Sequence, residues 1–428
     1  MTVSIYASAG AFRKEFRQAS VFSPDLTRRV RDILETVRER GDEAVLDFTR
    51  RFDGVERHSL APAAGEWEQA GRVDPEIIDL CRRAASNIQR FHRREFEQEQ
   101  SWDLTFGDAR VGQQVTPLRR VGVYVPGGTA AYPSSVLMNV IPARVAGVEE
   151  IVLVSPPSRE TGMINPLVLA AAELLGVEEV YAMGGAQAIA ALAYGTDTIR
   201  PVVKITGPGN QYVNEAKRQV FGQVGIESLA GPSEILILAD GSGDAGRLAA
   251  DLLSQAEHDP QARSILVTTE QSLLDATRAE LERQLETLPR EEIARASLDA
   301  QGALVLVGDL AEGIDLVNDI APEHLELQVE DPESALAHIR QAGCVFLGQY
   351  TPEPVGDYWA GSNHILPTAG AARYASALSV RDFLRRTSVV RYGPEQLRTD
   401  AEDVKRFARL EGLEAHARTI EYRLNKED

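Results

Sequence analysis

Short apolar runs alternate with helical patterns along the middle of the chain, and this alternation constrains the fold more than any other feature. Several runs have the length and apolar character of buried strands and end at glycine or proline turns. Strands are predicted over residues 151–154, 180–183 and 202–205, and residues 120–128 are predicted to form a short strand that runs into a glycine turn. Helices are predicted over 166–175 and 186–194. Such alternation is typical of parallel strands whose helices cover both faces of the sheet.

A second alternating set follows and predicts a second parallel-sheet unit. Its strands are predicted over residues 235–239, 264–268, 303–307, 326–329 and 344–347, and its helices over 245–254, 273–285 and 334–342. Residues 1 to about 115 and residues 379–428 are charged, with apolar residues at helical spacing. The predicted fold class is therefore α/β, with two parallel-sheet units and helical N- and C-terminal segments.

Composition narrows the class of protein. A chain of 428 residues is too long for one compact core, so at least two domains are expected. The formal charge of −19, from 45 basic and 64 acidic side chains, disfavours binding to nucleic acid or anionic membranes. The two cysteines, Cys81 and Cys344, exclude a disulfide framework and fit a reducing compartment, the cytoplasm. We expect no signal peptide and no membrane-spanning segment.

An amide and an imidazole are spaced for one helix face. Gln255 and His258 lie three residues apart near the end of a predicted helix that Pro260 terminates. Side chains at this spacing could take two positions around one metal ion. The alternative is a polar helix end, at which His258 complements the helix dipole.

Two further segments carry residue types used in catalysis. Glu323 and His324 are adjacent, and in an extended segment they could flank one target as general acid and base. Asp357 and His364 frame Gly361 in an irregular stretch dense in glycine and polar residues, which is typical of a loop that places side chains. A chance Glu-His pair and an ordinary surface turn are the alternatives.

Glu411 and His416 lie close together in the charged C-terminal segment, where a solvated helix end is the alternative. Nitrogen and oxygen ligands without a thiolate are offered together by Gln255, His258, Asp357 and His416. That ligand set suits zinc, cobalt or manganese better than an iron–sulfur cluster or a closed structural zinc site. Sequence spacing does not show that these residues meet.

Three glycine-rich turns follow predicted strands in the first unit. They are Pro126-Gly127-Gly128, Gly184-Gly185-Ala186-Gln187 and Gly207-Pro208-Gly209-Asn210. Free backbone amides at such turns can bind a phosphate, so three turns at strand ends indicate a small-molecule site. None of the turns matches the Gly-x-Gly-x-x-Gly fingerprint of dinucleotide binding. The alternative is that short turns simply require glycine.

Taken in order, these motifs resemble the histidinol dehydrogenase family. The matching segments are Gly231-Pro-Ser-Glu234, Ser254-Gln-Ala-Glu-His258, Pro322-Glu-His-Leu325, Gly356-Asp-Tyr358, Ser362-Asn-His364 and Glu411 through His416. Gly207-Pro-Gly-Asn210 and Glu215-Ala-Lys-Arg-Gln219 fit as well. The matches run from about Tyr124 to His416 without a departure at the motif positions, whereas the first hundred residues match only in general character.

The resemblance implies an enzyme that oxidises L-histidinol to L-histidine through L-histidinaldehyde, with two NAD, in the last steps of histidine biosynthesis. It implies a homodimer whose active sites are shared between subunits and hold one zinc ion per subunit. The implied metal ligands are Gln255, His258, Asp357 and His416, the last from the partner subunit. The implied acid/base pair is Glu323 and His324. The implied substrate contacts are Ser233, Gln255, His258, His324, Asp357, His364, Glu411 and His416, and the implied NAD contacts are Tyr124, Gln187 and Asn210.

We predict four regions in the chain. Residues 1–20 form an N-terminal arm, 21–119 with 234–378 a first α/β domain carrying the metal and acid/base residues, 120–233 an NAD-binding α/β domain, and 379–428 a helical dimerisation segment. Both α/β domains would be incomplete, Rossmann-like and parallel-stranded.

Two other functions stay open at this point. One is a related metal-dependent NAD dehydrogenase of another small alcohol, such as a hydroxy-sulfonate; loss of the Glu411 or His416 match would favour it. The other is a nonenzymatic metal- and nucleotide-binding protein, which would not need Glu323 and His324.

Overall fold

The computed structural model describes residues 3–16, 23–127 and 131–424. Gly128 of the first glycine turn and residues 17–20 of the predicted N-terminal arm lie outside the described residues. None of the helices in the described ranges combines the length and the apolar character needed to cross a bilayer.

The N-terminal region begins with a short strand, is mainly helical from Ala9 to Phe96, and then forms a hairpin. Its elements are β1 (Ser4–Tyr6), α1 (Ala9–Glu15), α2 (Pro24–Phe48), α3 (Ala64–Ala70), α4 (Pro75–Phe96), β2 (Trp102–Phe106) and β3 (Ala109–Pro117). The prediction of helix up to about residue 115 is therefore wrong from residue 102 onward. In β2 the apolar residues Trp102, Leu104 and Phe106 alternate with polar ones, which is the two-residue period of a strand.

A five-stranded parallel sheet occupies residues 120–226. Its elements are β4 (Arg120–Tyr124), α5 (Pro133–Ala146), β5 (Glu150–Ser155), α6 (Pro166–Leu174), β6 (Glu179–Ala182), α7 (Gly185–Tyr194), β7 (Lys204–Thr206), α8 (Gln211–Val220) and β8 (Gly225–Ile226). The strand order is β6-β5-β4-β7-β8, and every pair is parallel. The predicted strands are confirmed, although the one predicted at 202–205 begins two residues later. Since the chain order reverses between β4 and β7, their carboxyl ends frame a switch point.

A six-stranded parallel sheet follows. Its elements are β9 (Glu234–Ala239), α9 (Ala245–Ala256), β10 (Arg263–Thr268), α10 (Gln271–Leu285), α11 (Glu291–Gln301), β11 (Ala303–Leu306), α12 (Leu310–Ile320), β12 (His324–Gln328), α13 (Pro332–Leu336) and β13 (Cys344–Leu347). The order is β1-β11-β10-β9-β12-β13, all parallel. Apart from the edge strand β1, this is the topology of the five-stranded sheet. The α/β fold class with parallel sheets is confirmed.

The helix predicted over 334–342 ends early, because tertiary hydrogen bonds take over the backbone after α13. Asn318 on α12 accepts a hydrogen bond from the Arg340 N–H at 2.7 Å and donates one to the His338 carbonyl at 3.0 Å. These bonds fix the chain in an irregular path toward β13.

The C-terminal region is not wholly helical, contrary to the prediction for residues 379–428. After α14 (Glu353–Val355) and a π-helical turn (Gly356–Ala360), it contains β14 (Leu384–Arg391), α15 (Pro394–Leu410) and α16 (Glu414–Leu424). Strand β14 pairs antiparallel with β3, and β3 with β2, in a separate three-stranded sheet. The C-terminal segment is thereby attached to the hairpin near the N-terminal helices.

The N-terminal helices pack on the five-stranded sheet. Helix α2 buries Val30, Val37 and Val45 against α7 and α8, and α4 packs against α5. The predicted domain boundaries stay a prediction. What matters for the site is that β9 and β12 are buried along their whole length, so the residues at their ends are held rigidly.

Candidate active site

Glu323 and His324 stand at the start of β12, and one neighbouring backbone unit holds both. The N–H of Glu234, the first residue of β9, donates to Glu323 Oε2 at 2.8 Å. The carbonyl of Glu234 lies 3.1 Å from His324 Nδ1. Because a carbonyl only accepts, Nδ1 carries a proton, and Nε2 is the nitrogen that can take up or release one. In the described part of the chain His324 Nε2 is buried and has no hydrogen-bond partner.

Burial and charge shift the pKa of both members of this pair. Burial raises the pKa of Glu323 to about 8. Burial acts in the opposite sense on His324, but the charges of Glu323 and Asp357 outweigh it and raise the pKa of the imidazole to about 10. At neutral pH the pair therefore holds at least one proton that it can give up. Perturbed neighbouring groups of this kind are typical of acid/base sites.

Asp357 and Glu353 face the basic nitrogen of His324. Asp357 Oδ1, in the π-helical turn, lies 3.7 Å from His324 Nε2, and Glu353 Oε1 lies 3.9 Å from the same atom. One ligand atom from each of these three residues falls within 4.8 Å of the others, a grouping that could hold a metal ion. It shares only Asp357 with the predicted metal set. No sequence pattern indicated Glu353, and burial raises the pKa of its carboxyl group to about 8.

Gln255 presents a buried amide without a partner. It is fully buried in the last turn of α9, and neither Oε1 nor Nε2 forms a hydrogen bond within the described ranges. An unsatisfied buried polar group costs about 1–3 kcal/mol, so this amide is expected to meet a ligand when the site is filled. A metal ion bound through Oε1 would meet that need.

His258 is not on the same helix as Gln255, contrary to the prediction. Helix α9 ends at Ala256, and the His258 N–H donates to the Gln255 carbonyl in the turn beyond it, shortly before Pro260. Loss of solvation lowers the pKa of His258, against the charge of the nearby Asp357. The imidazole and the Asp357 carboxylate thus interact electrostatically. With the Gln255 amide they offer nitrogen and oxygen donors, which fit a zinc ion.

The loop that follows Asp357 returns to the cluster at His364. Its Nδ1 lies 3.2 Å from the Asp357 carbonyl, and burial lowers the pKa of its ring. The adjacent Asn363 donates to the Met138 carbonyl at 2.7 Å and approaches His92 Nε2 at 3.4 Å. A surface position for His92 would be the simplest expectation for a histidine among charges, but it is fully buried and helps to fix this loop.

Fewer contacts define the positions of the remaining predicted substrate residues, Ser233, Glu411 and His416. Ser233 is half-buried on the strand-like approach to β9, where its carbonyl accepts from the Arg263 N–H at 3.0 Å. Glu411 and His416 are exposed at the end of α15 and the start of α16. Neither side chain bonds to the cluster in the portion of the chain that is described. A single copy of the chain therefore does not bring His416 to the predicted metal ligands.

A cleft of about 1280 Å³ lies at the carboxyl ends of β4 and β5, and all three predicted NAD contacts line it. The Tyr124 hydroxyl accepts from the Gly185 N–H at 3.1 Å, and burial raises its pKa to about 12, so it keeps a proton to donate. Gln187 lies in the first turn of α7. Asn210 caps α8 by accepting from the Tyr212 and Val213 N–H groups, which leaves its amide nitrogen for a ligand.

Residues from the N-terminal region close the other side of this cleft, which the sequence did not indicate. Phe48 and Phe52 stack in parallel with ring centroids 5.5 Å apart, and both line the cleft with Asp53. Burial raises the pKa of Asp53 to about 6. The acid/base cluster is a separate region, although Tyr132, at the start of α5, acts on the pKa of Tyr358 beside Asp357.

Comparison with known proteins decides the family. The family model described as histidinol dehydrogenase matches residues 16–424. The chain belongs to the histidinol dehydrogenase family. It is 54% identical to the histidinol dehydrogenase of Geobacillus kaustophilus over 93% of this chain and 94% of that protein, and 53% identical to that of Agrobacterium fabrum over 95% and 94%.

Solved structures agree with this assignment. The crystal structure of a histidinol dehydrogenase from Elizabethkingia anophelis superposes with a TM-score of 0.93 at 36% identity, covering 99% of this chain and 98% of that one. Membership in the histidinol dehydrogenase family makes the protein an oxidoreductase, as the resemblance of the motifs implied.

Proposed function

We propose that this protein oxidises L-histidinol to L-histidine through L-histidinaldehyde, using two NAD, in the last steps of histidine biosynthesis. The observation that carries the proposal is the pair Glu323 and His324, held by one backbone unit of β9 with His324 Nε2 left bare. Membership in the histidinol dehydrogenase family supports the substrate. Two free cysteines fit a reducing compartment, and the cytoplasm stays our prediction.

His324 is the base of the first half-reaction in this proposal. Its Nδ1–H is committed to the Glu234 carbonyl, so Nε2 faces the substrate and takes the proton from the alcohol. Bound NAD accepts the hydride in each half-reaction. Burial of the ring excludes competing water from the nitrogen.

Glu323 is the base of the second half-reaction. Oxidation of the aldehyde requires its hydrate, and an ionised carboxylate can remove a proton from the attacking water. Oε2 accepts from the Glu234 N–H, which fixes the carboxylate at the amino edge of the sheet. The raised pKa of Glu323 makes it a stronger base than an exposed glutamate once it is ionised.

Zinc, when bound, would hold the amino and imidazole nitrogens of the substrate and so orient its alcohol carbon. Gln255, His258 and Asp357 of one chain, with His416 of the partner subunit, would hold it. The unpartnered amide of Gln255 supports this set. Ser233, His364 and Glu411 would contact the substrate, and Tyr124, Gln187 and Asn210 would bind NAD in the cleft they line.

Measurement of NADH absorbance together with zinc content tests the proposal. With L-histidinol and NAD, the protein is expected to form two NADH for each histidinol consumed. A strong chelator should abolish this activity and zinc should restore it. His258→Asn should lower zinc content and activity together, because it removes one nitrogen donor.

The matched control is His338→Asn, since His338 is exposed on a surface remote from the cluster and should keep both zinc and activity. Full activity in protein shown to be free of metal would end the zinc proposal. No NADH with histidinol, but NADH with a hydroxy-sulfonate, would transfer the proposal to that alcohol. No NADH with either substrate would favour a binding protein.

A further inference from the structure

A buried lysine forms hydrogen bonds to the third glycine turn. This turn borders the cleft that Tyr124, Gln187 and Asn210 line, which is called the nucleotide cleft below. Lys217 on α8 is 1% exposed, and its Nζ donates to the Gly207 carbonyl and to Glu227 Oε1, each at 2.6 Å. The Gly207 N–H donates to the same Glu227 oxygen at 2.8 Å. Lys217 and Glu227 thus bind both backbone polar groups of Gly207, its carbonyl and its N–H.

The backbone conformation of Gly207 is also restricted by its surroundings. Gly207 has a φ of +116°, and a Cβ on it would lie 2.0 Å from the Tyr124 carbonyl oxygen. Three residues later Asn210 caps α8 and lines the cleft. Gly207 packs against the Tyr124 backbone and leads directly to Asn210. Its conformation therefore determines how Tyr124 and Asn210 are placed relative to each other.

Glu227 also begins the connector between the two parallel sheets. It follows β8 directly, and residues 227–233 lead to Ser233 and then to β9. The connector is tied back to α8, since the Ala230 N–H donates to Asn214 Oδ1 at 3.3 Å. One buried carboxylate thus joins the turn of the nucleotide cleft to the segment that enters the acid/base cluster.

We propose that Lys217 and Glu227 are positioning residues for NAD. They hold the Gly207–Asn210 turn in the conformation that binds the dinucleotide, without touching it, and they fix the origin of the connector that carries Ser233. The inference rests on the proposed function in one respect, that NAD binds in this cleft. A merely structural ion pair would stabilise the fold equally but would not act selectively on one substrate.

Steady-state kinetics and NADH binding separate these roles. Lys217→Met keeps an unbranched side chain, one atom shorter, and removes the charge. Glu227→Gln keeps an oxygen for the Gly207 N–H. We expect each to raise KM for NAD by about tenfold to a hundredfold, the range that a misplacement of about 1 Å produces, and to weaken NADH binding, followed by fluorescence, to the same extent. KM for histidinol should change by less than about threefold. Lys217→Arg should recover part of the loss.

The control is Arg120→Met in the same sheet. Arg120 is also buried and ion-paired, to Glu150 and Glu179, but at the opposite end of β4 from the cleft. It should lower thermal stability and leave both KM values unchanged. Folded Lys217→Met and Glu227→Gln proteins with the wild-type KM for NAD, or an equal rise for Arg120→Met, would overturn the inference.

Different experimental results contradict the proposed function and the inference about Lys217 and Glu227. A wild-type protein that binds NADH but does not oxidise histidinol contradicts the proposed function, while the binding arm of the experiment still decides the inference. If Lys217→Met does not fold, Glu227→Gln decides, because it differs from the wild type by one atom type only. A wild-type protein without affinity for NADH overturns both.

Discussion

A single backbone unit holds both of the side chains that we propose as general bases. The Glu234 N–H and carbonyl belong to a fully buried strand, so they hold Glu323 and His324 without the entropy cost of immobilising further side chains. The carbonyl also decides which nitrogen of His324 is basic, as a partner of one ring nitrogen generally does. Replacement of the Glu234 side chain leaves these two bonds in place.

Glu323 and His324 are predicted to serve different half-reactions. His324→Ala should slow the reaction when histidinol is supplied, because the alcohol loses its base. Glu323→Gln preserves size and should mainly slow the conversion of histidinal to histidine. A positioned general base contributes about 10²–10⁴-fold, so each loss should be plainly measurable as NADH formation with the two substrates supplied separately. Equal losses on both substrates for both variants would show that the pair acts as one unit.

The residue types in the site could be named from the sequence, but not all of their neighbours. Glu323 and His324 were apparent because two acid/base types are adjacent. Glu353 was not, because only the turn from β13 into α14 brings it within 3.9 Å of His324 Nε2. His92 was hidden for a similar reason, since its contact with Asn363 joins positions 271 residues apart. Contacts of this kind depend on tertiary packing and leave no local pattern.

At the scale of strands, the two candidate sites lie at opposite edges of their parallel sheets. The nucleotide cleft lies at the carboxyl ends of β4 and β5, where glycine turns follow the strands and where such sheets usually bind ligands. The acid/base pair lies at the amino ends of β9 and β12 instead. The glycine turns were therefore recognisable in the sequence, whereas nothing in the pattern of β12 indicates that the residues before it face a site.

The three-stranded sheet shows why other elements were missed. Strand β14 pairs with β3, which is about 270 residues earlier, so its backbone hydrogen bonds go to a partner that local periodicity cannot indicate. The two-residue period of β2 was available in the sequence. Short helical patterns on both sides outweighed it.

Strand β12 carries a buried carboxyl that should make stability depend on pH. Glu326 is fully buried next to Asp251, and burial together with the charge of Asp251 raises its pKa from 4.5 to about 8. Between these two values the folded protein binds more protons than the unfolded chain, so stability falls as pH rises from about 4.5 to about 8.

Glu326→Gln should remove the part of this dependence that Glu326 contributes. The variant is expected to melt at least about 2 °C above the wild type at pH 9, with a smaller difference at pH 5, by differential scanning calorimetry. The matched control is Glu312→Gln on the surface end of α12, which should not change the pH dependence. A melting difference that is constant from pH 5 to pH 9 would contradict a raised pKa for Glu326.

At the scale of the whole molecule, the C-terminal helices expose more apolar surface than a lone chain should. Phe407 and Leu410 on α15 are 69% and 74% exposed, and Leu104 and Val390 of the three-stranded sheet are each 65% exposed. Exposed large apolar side chains of this kind are expected at an interface. Glu411 and His416 lie beside it, so covering it with a second copy would carry these two residues toward that copy's site. This supports the proposed homodimer.

Mixing two inactive variants tests whether the site is shared. His258→Ala and His416→Ala should each be inactive alone. If His416 serves the partner's site, a hybrid dimer contains one site with both changes and one with neither, so activity should return to about half per hybrid after subunit exchange. The control mixes His258→Ala with His324→Ala, two residues that the proposal places in the same chain's part of the site, and should stay inactive with histidinol because each hybrid site keeps one defect. If exchange is demonstrated by differently tagged subunits and the first mixture stays inactive, His416 acts within its own chain.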